Sequence, residues 1–297
     1  MILIFTFISL ELTAQTNQDP AGVKILSAMS KATEFMDQNV GNNGGYLWYY
    51  LPDLSRSWGE MEAKPSMLWL QGEGTVAMGN IFLDAYSATN NEYYYKLAQK
   101  VTDVLVRTQL ESGGWNYLAD LAGEESIKNW YDTIGKNGWR LEEFQHYYGN
   151  ATFDDEVTEG VATYLLRFYL TKQDNNYKPP LQKAINFILE SQYNTGGWPQ
   201  RFPINGEFSK NGNPDYTPYN TFNDQVIWNN LKFLTACYVV FQGKEYLDPI
   251  RKAMNFFVIT RQAKPQAGWG MQYSLDLMPA GARTYEPKAL DALFTAE

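Results

Sequence analysis

Three stretches of this chain repeat one pattern, in which an amphipathic helix is followed by a polar break and a Gly-Trp pair. The tryptophans of the three repeats, Trp115, Trp198 and Trp269, lie 83 and 71 residues apart. This spacing is too long for the common helical solenoids and suits one helical hairpin with a long irregular loop in each repeat. The stretches are LAQKVTDVLVRTQLESGGW, LQKAINFILESQYNTGGW and IRKAMNFFVITRQAKPQAGW.

Second helix-forming segments lie between the repeats, for example EGVATYLLRFYLTK and QVIWNNLKFLTACYVVFQ. Inner and outer helices that alternate, with glycine and aromatic residues in the loops at one end, predict an all-α chain. The expected architecture is an α/α toroid, that is, an incomplete barrel of helical hairpins with long irregular loops at one end. No segment shows sustained alternation of apolar and polar residues, so we expect few strands.

The charge balance limits the possible partners. A net charge of -9 and an isoelectric point near 4.8 argue against nucleic acid and anionic membranes, because either partner would require a basic face. A polyanionic ligand would need a few local arginines or a metal ion. The single cysteine, Cys237, excludes an internal disulfide, and the single histidine, His146, argues against histidine triads and histidine-rich zinc sites.

The N-terminal segment MILIFTFISLELTA is too short an apolar run to span a bilayer and ends at a plausible cleavage point after Ala14. We predict a signal peptide over residues 1–14 and a secreted or periplasmic bacterial protein; the alternative is a spurious extension of the gene. Residues 15–297 are predicted to form a single α/α-toroid catalytic domain without a transmembrane segment. The protein is predicted to be a monomer. The sequence stops at DALFTAE, where another closing helix is expected, so the toroid is expected to be truncated at its C-terminus.

Aromatic residues make up 15% of the chain, and many of them lie in loops such as GGYLWYYLP, GGWPQRF and DYTPYNTF. Two interpretations remain open for the repeated tryptophans. They either plug the junctions of the helical hairpins or present their faces to the apolar C–H faces of sugar rings, while Asn, Gln and Asp bind the hydroxyls.

Two acidic clusters stand at the starts of inner helices. Asp154, Asp155, Glu156 and Glu159 crowd the first turn after NATF, and Asn223 and Asp224 open the equivalent helix of the next repeat. Each acid taken alone is explained by helix capping and dipole compensation. In a toroid, however, equivalent helix starts face the same mouth, and converging carboxylates form the oxygen-rich pocket that a hard cation such as Ca²⁺ requires.

The segment after Trp269, GMQYSLDLMPAGARTYEPKAL, contributes Arg283. This arginine either pairs with a nearby carboxylate such as Glu286 or points into the same mouth as Asp154 and Asp224.

The motifs FDDEVT, GGWPQRFP, TFND and PAGARTYEP, in this order, resemble those of the family 10 polysaccharide lyases, which are pectate lyases built on an α/α toroid. The resemblance covers roughly residues 70–290. It implies cleavage of the acidic polysaccharide polygalacturonate by Ca²⁺-dependent β-elimination. Arg283 would then correspond to the catalytic base, and Asp154 and Asp224 to the aspartates of the substrate and calcium sites.

The resemblance also implies the remaining members of the site. Asp155 joins Asp154 and Asp224 as a candidate calcium ligand, although the family usually has Asp-Asn where this chain has Asp-Asp-Glu, which leaves the ligand set open. The predicted substrate-binding residues include an arginine that pairs with a uronate carboxylate and a tryptophan that stacks on a ring. The full predicted substrate-binding set is Trp198, Gln200, Arg201, Asn223 and Tyr285.

Two other classes of function remain compatible with these residues. A toroid glycoside hydrolase would use two carboxylic acids, such as Asp154 with Glu159 or Asp224, and would need no metal. A glycan-binding module would retain the aromatic loops without catalysis. Arg283 discriminates among the three, because its removal should abolish only lyase action.

Overall fold

The computed structural model describes residues 20–138, 144–204, 217–265 and 267–280. The predicted signal peptide and the C-terminal end of the chain lie outside these ranges. The chain divides into two compact units, residues 1–41 and 42–297. The single catalytic domain over residues 15–297 stays a prediction.

The first unit contains helix α1, Pro20–Phe35, and a single π-helical turn, Met36–Val40. None of the residues of α1 is buried, and Val23, Ile25 and Phe35 each expose more than half of their surface. None of the described helices is both long and apolar enough to cross a membrane.

The second unit is mostly helical, with short antiparallel strands. Strands β1, β2 and β3 form one sheet, and the other strands pair as β4 with β5, β6 with β7 and β8 with β9. The helices are α2 (Thr75–Thr89), α3 (Glu92–Arg107), α4 (Glu124–Thr133), α5 (Val157–Lys172), α6 (Lys178–Glu190), α7 (Val226–Phe241) and α8 (Leu247–Thr260). The strands are β1 (Tyr49–Tyr50), β2 (Ser57–Trp58), β3 (Glu62–Ala63), β4 (Met67–Trp69), β5 (Leu118–Asp120), β6 (Ala151–Thr152), β7 (Arg201–Phe202), β8 (Asn220–Thr221) and β9 (Gln272–Tyr273).

Within the second unit, the same structural repeat occurs three times. A short strand leads into an inner helix, a hairpin turns into an outer helix, and the chain returns after Gly-Trp as a strand that pairs with the first one. The three units are β4-α2-α3-β5, β6-α5-α6-β7 and β8-α7-α8-β9. The inner helices lie side by side, because α5 packs against both α2 and α7. The predicted α/α toroid of helical hairpins, with little strand, is confirmed.

The burial of each helix follows from its residue pattern. Outer helix α6 buries one stripe, formed by Leu181, Ala184, Ile185 and Ile188, whose spacing matches the helical period. Inner helix α5 buries residues around most of its circumference, because it packs between the neighbouring inner helices and its own outer helix. An α/α toroid is expected to have amphipathic outer helices and inner helices that are buried more uniformly.

The repeated tryptophans close the hairpins. The indole N–H of Trp115 donates to Leu105 O at 2.9 Å, and that of Trp198 donates to Ile188 O at 2.8 Å. Both acceptors lie in the last turns of the preceding outer helices, and both tryptophans are fully buried. Trp269 makes the same contact to a carbonyl of α8 at 2.8 Å and is half-buried.

The first glycine of each Gly-Gly pair brings the loop against the next outer helix. Gly196 has a φ of 104°, and a Cβ added there would lie 2.2 Å from Lys252 O in α8. Gly113, with a φ of 112°, approaches Lys183 O of α6 in the same way. The glycines are therefore required both by the left-handed backbone and by the close approach of two backbones.

We expect Gly196→Ala to lower the free energy of unfolding by about 2 kcal/mol or more, because the new methyl group collides with a helix carbonyl as well as straining the backbone. Gly123→Ala is the matched control, since Gly123 has a φ of 99° but no atom within 4 Å of an added Cβ. The control should lose only about 1 kcal/mol from backbone strain. Equal losses in the two variants, measured by urea denaturation, would show that the contact with α8 contributes nothing.

Candidate active site

Two short turns bring acidic residues to the starts of inner helices. Single 3-10 turns, Asp154–Glu156 and Asn223–Gln225, precede α5 and α7, and the two turns contact each other. Asp155 and Asp224 hold the left-handed conformation, with φ values of 50° and 55°. Aspartate tolerates this conformation better than most residues, whereas Glu156 and Gln225, which follow them with φ values of 57°, hold it without that advantage.

Backbone hydrogen bonds establish which residues of the repeats are equivalent. The residue before each turn is a phenylalanine whose backbone N–H donates to the loop after the next Gly-Trp pair. Phe153 donates to Gln200 O and Phe222 donates to Met271 O, each at 2.8 Å. Asp155 therefore corresponds to Asp224, and Asp154 corresponds to Asn223. In the β4-α2-α3-β5 hairpin Leu70 makes the same bond, to Tyr117 O, so Gln71 is the third equivalent of Asp154.

We use the name acid cluster for Asp154, Asp155 and Asp224. Asp154 is buried, and its Oδ2 accepts a hydrogen bond from the phenol of Tyr117 at 2.6 Å. The carboxyl of Asp224 lies within hydrogen-bonding reach of that of Asp154. Asn223 donates its side-chain N–H to Asp224 Oδ2 at 2.6 Å. The predicted convergence of two helix starts is therefore present in the structure.

The crowding of carboxylates changes the titration of the cluster. Desolvation and the adjacent charges of Asp154 and Asp155 raise the pKa of Asp224 to about 8, although part of this residue stays open to solvent. Its carboxyl therefore takes up a proton as the pH falls through the neutral range. A cation bound between the carboxylates would reverse this effect by stabilising their charged forms.

Sequence reasoning missed two members of the site. The amide nitrogen of Gln71 donates to Asp155 Oδ2 at 2.5 Å and to Glu60 Oε2 at 2.9 Å. The indole N–H of Trp69 donates to Gln71 Oε1 at 2.8 Å and so fixes the direction of the amide. Alignment of the segments LQGEGT, FDDEVT and FNDQVI would have placed Gln71 opposite Asp154, whereas no local signal indicates Glu60.

Arg201 lies behind the acid cluster in a buried polar and aromatic environment. Its guanidinium carbon is 4.9 Å from the ring centre of Tyr117 and 5.9 Å from that of Tyr148. Its Nη1 donates long hydrogen bonds to the side-chain Oδ1 atoms of Asn116 and Asn150, at 3.4 and 3.5 Å. Arg201 is 3% exposed. It therefore supports Tyr117, the phenol that binds the acid cluster.

Three predicted substrate-binding residues lie in the interior of the structure. Trp198 has no exposed surface and serves as a hairpin plug, so it presents no face to a sugar ring. Arg201 and Gln200 are only 3% and 5% exposed, and their direct contact with a polysaccharide stays a prediction. Gln200 contributes its backbone carbonyl, which accepts from the N–H of Phe153 at 2.8 Å. The GGWPQR motif therefore supports the site from the interior of the protein.

The other predicted residues divide into two groups. Asn223 lies in the turn before α7, beside the acid cluster, as expected. Arg283 and Tyr285 lie outside the described residues.

The donor chemistry of the acid cluster suits a hard cation. Asp154 Oδ1 and Asn223 Oδ1 are buried and receive no donated hydrogen bond from the part of the chain that the structure describes. Such oxygens favour Ca²⁺, which binds carboxylate and amide oxygens. Among the described residues, no group of three or more His, Cys, Asp or Glu side chains has the geometry of a metal site. The cluster would therefore supply only part of a coordination shell.

The comparisons with known proteins identify the family. The family model of the pectic acid lyases matches residues 128–293, which is more than half of the chain, and the chain belongs to this family. The resemblance found in the sequence motifs is thus confirmed. No curated protein sequence matches the chain significantly.

Similar solved structures include both lyases and other α/α toroids. A family 10 polysaccharide lyase from Cellvibrio cellulosa is 20% identical, with a TM-score of 0.44, and the match covers 68% of this chain and 58% of that one. A mutant of a lyase of the same description, in complex with trigalacturonic acid, is 21% identical with a TM-score of 0.45, at 70% and 60% coverage. A sugar epimerase from a ruminal bacterium is 12% identical with a TM-score of 0.54, at 87% and 61% coverage.

The epimerase likeness, at its low identity, supports the toroid fold alone. The chain spans about three-fifths of the length of these lyase structures.

Proposed function

We propose that this protein is a secreted pectate lyase that cleaves polygalacturonate by Ca²⁺-dependent β-elimination and leaves 4,5-unsaturated oligogalacturonides. The observation that carries the proposal is the acid cluster, in which two equivalent helix starts place Asp154, Asp155 and Asp224 together in a member of the pectic acid lyase family. Oxygens that lack donors there suit a cation that also binds a uronate carboxylate.

The reaction requires the removal of a weakly acidic C–H proton. Ca²⁺, when bound by the acid cluster and the substrate carboxylate, would withdraw electrons and make the proton at C5 more acidic. Arg283 accepts that proton, and the electron pair left at C5 forms the C4–C5 double bond. The C4–O bond breaks, and the departing oxygen keeps its electron pair and takes a proton from water. Arginine is a strong base once neutral, and neighbouring positive charge lowers the pKa of its guanidinium.

Other residues hold the reacting groups in position. Tyr117 fixes Asp154 through its phenol, and Arg201 supports the ring of Tyr117 from the buried side. Gln71 fixes Asp155, and Asn223 fixes Asp224. Substrate contact is assigned to Asn223 and Tyr285, which belong to the TFND and ARTYEP motifs.

An acidic polysaccharide is the proposed substrate for two reasons. The complex of the related lyase contains trigalacturonic acid, an oligomer of the same uronate. Furthermore, a protein with a net charge of -9 requires a cation to hold a polyanion, and the acid cluster provides the place for one. We also propose that the protein acts outside the cytoplasm, as a monomer.

The test is an assay on polygalacturonate with added Ca²⁺ and, in parallel, with a chelator. Ultraviolet absorbance should rise with Ca²⁺ only, because β-elimination creates a double bond conjugated with the carboxylate. New reducing ends without absorbance would indicate hydrolysis by two carboxylic acids instead. Neither absorbance nor new ends, from a protein that still binds the polysaccharide, would indicate a binding module.

A further inference from the structure

A cavity of about 520 Å³ lies between the inner helices α2, α5 and α7, next to the acid cluster. Its volume is in the range of sites for small molecules. Glu156 and Lys232 are exposed where the cavity meets solvent, whereas Glu159, one turn into α5, is only 2% exposed. The cavity therefore combines an open side with a buried carboxyl group.

The buried polar groups of this cavity lack partners. Neither carboxyl oxygen of Glu159 meets a hydrogen-bond donor from any other described residue. Asn229, which also lines the cavity, uses its amide N–H to hold Glu156 Oε1 at 2.8 Å, but its Oδ1 receives no donor from the described part of the chain. Buried acceptors without donors cost free energy unless a bound molecule satisfies them.

The charges around the cavity disfavour an anionic ligand. Asp155, Glu156 and Glu159 line it with only Lys232 as a cation among the described lining residues. Burial raises the pKa of Glu159 well above its ordinary value, because the charged form is disfavoured away from water. An added carboxylate would face two further acids and gain one exposed lysine.

A metal ion and a purely apolar ligand both fit less well. The ammonium of Lys232 would repel a cation. An apolar molecule would leave Glu159 and Asn229 without partners. A neutral molecule that carries several hydroxyl groups satisfies these acceptors and brings no charge.

We propose that this cavity binds one neutral sugar ring through hydrogen bonds to Glu159 and Asn229. This site differs in ligand class from the polygalacturonate site, whose substrate is anionic. The proposal stands on the cavity itself and does not depend on the lyase reaction.

D-galactose and D-galacturonate are matched probes, because they differ only in whether C6 is an alcohol or a carboxylate. We expect saturation-transfer NMR and calorimetry on the full chain to show galactose binding, with galacturonate at least about tenfold weaker. Tighter binding of galacturonate, or no binding of galactose, would overturn the proposal.

Variants then locate the bound sugar. Ala236→Phe should weaken galactose binding, because the new ring occupies part of the cavity from α7. Glu159→Leu should weaken binding about tenfold or more through lost hydrogen bonds. Glu190→Leu, on the exposed end of outer helix α6, is the control and should bind as the wild type does. Unchanged galactose affinity in both folded Ala236→Phe and folded Glu159→Leu would place the sugar elsewhere and refute the assignment.

The lyase assay separates this proposal from the proposed function. Weaker galactose binding in Ala236→Phe with full Ca²⁺-dependent cleavage is the expected combination. Galactose binding by a wild type that does not cleave polygalacturonate would refute the lyase function and leave the sugar site in place.

Discussion

Arg283→Ala should reduce the rate of polygalacturonate cleavage by about 10²- to 10⁴-fold, the usual contribution of a general base. Removal of the base acts on the chemical step, so kcat should fall while KM changes little. The measurement is the rate of the ultraviolet absorbance rise with saturating Ca²⁺. Arg283→Lys should also be strongly impaired, because its flexible ammonium does not reproduce the planar guanidinium.

Arg251→Ala is the matched control, since Arg251 is exposed on the outer helix α8. Its activity should equal that of the wild type. Thermal unfolding of Arg283→Ala should be unchanged if the residue acts in catalysis. Full activity in a folded Arg283→Ala would exclude the arginine as the base, and an equal loss in both arginine variants would point to a general effect of charge.

Asp154→Asn should reduce Ca²⁺-dependent cleavage by about 10²- to 10³-fold, because it removes a buried negative charge from the centre of the acid cluster. The fold should not suffer. Asn has nearly the shape of Asp, and its Oδ1 can accept the hydrogen bond from the phenol of Tyr117. The substitution also removes the repulsion between Asp154 and Asp224. We therefore expect a melting temperature equal to or above that of the wild type.

A titration provides a second readout for Asp154→Asn. The charge of Asp154 contributes to the raised pKa of Asp224, so the substitution should move that pKa from about 8 toward the ordinary aspartate range. NMR of the Asp224 carboxyl would follow this shift. Asp248→Asn, in an exposed pair with Lys252 on α8, is the control for both measurements. A stable Asp154→Asn with unchanged activity would remove this residue from the site.

The sequence determined the repeated architecture because its signals are local. The helical spacing of apolar residues, as in Leu181, Ala184, Ile185 and Ile188, sets the buried face of a helix without reference to the rest of the chain. The Gly-Gly pairs mark helix ends that need a left-handed residue and a close backbone approach. Repetition of these signals was sufficient to predict hairpins, inner and outer helices and a common mouth.

The sequence also predicted the acid cluster, because equivalent positions in repeated units must lie at the same end of a toroid. The sequence named Asp154, Asp155 and Asp224 together but did not determine which residues of the two helix starts are equivalent. The backbone hydrogen bonds between the loops make Asp155 the equivalent of Asp224. Register between units depends on strand pairing, which no local pattern of two or three residues specifies.

Only the tertiary structure decided which polar and aromatic groups face inward. Trp198 and Arg201 stand in a motif that reads equally well as a sugar-binding loop, yet packing against α6 and Tyr117 buries both. Gln71 donates to both Glu60 and Asp155 and so brings Glu60 to the site. Asp155 lies 84 residues beyond Gln71 in the chain. Such contacts arise when separate repeats close on one another, and burial depends on that closure rather than on the residues beside each position.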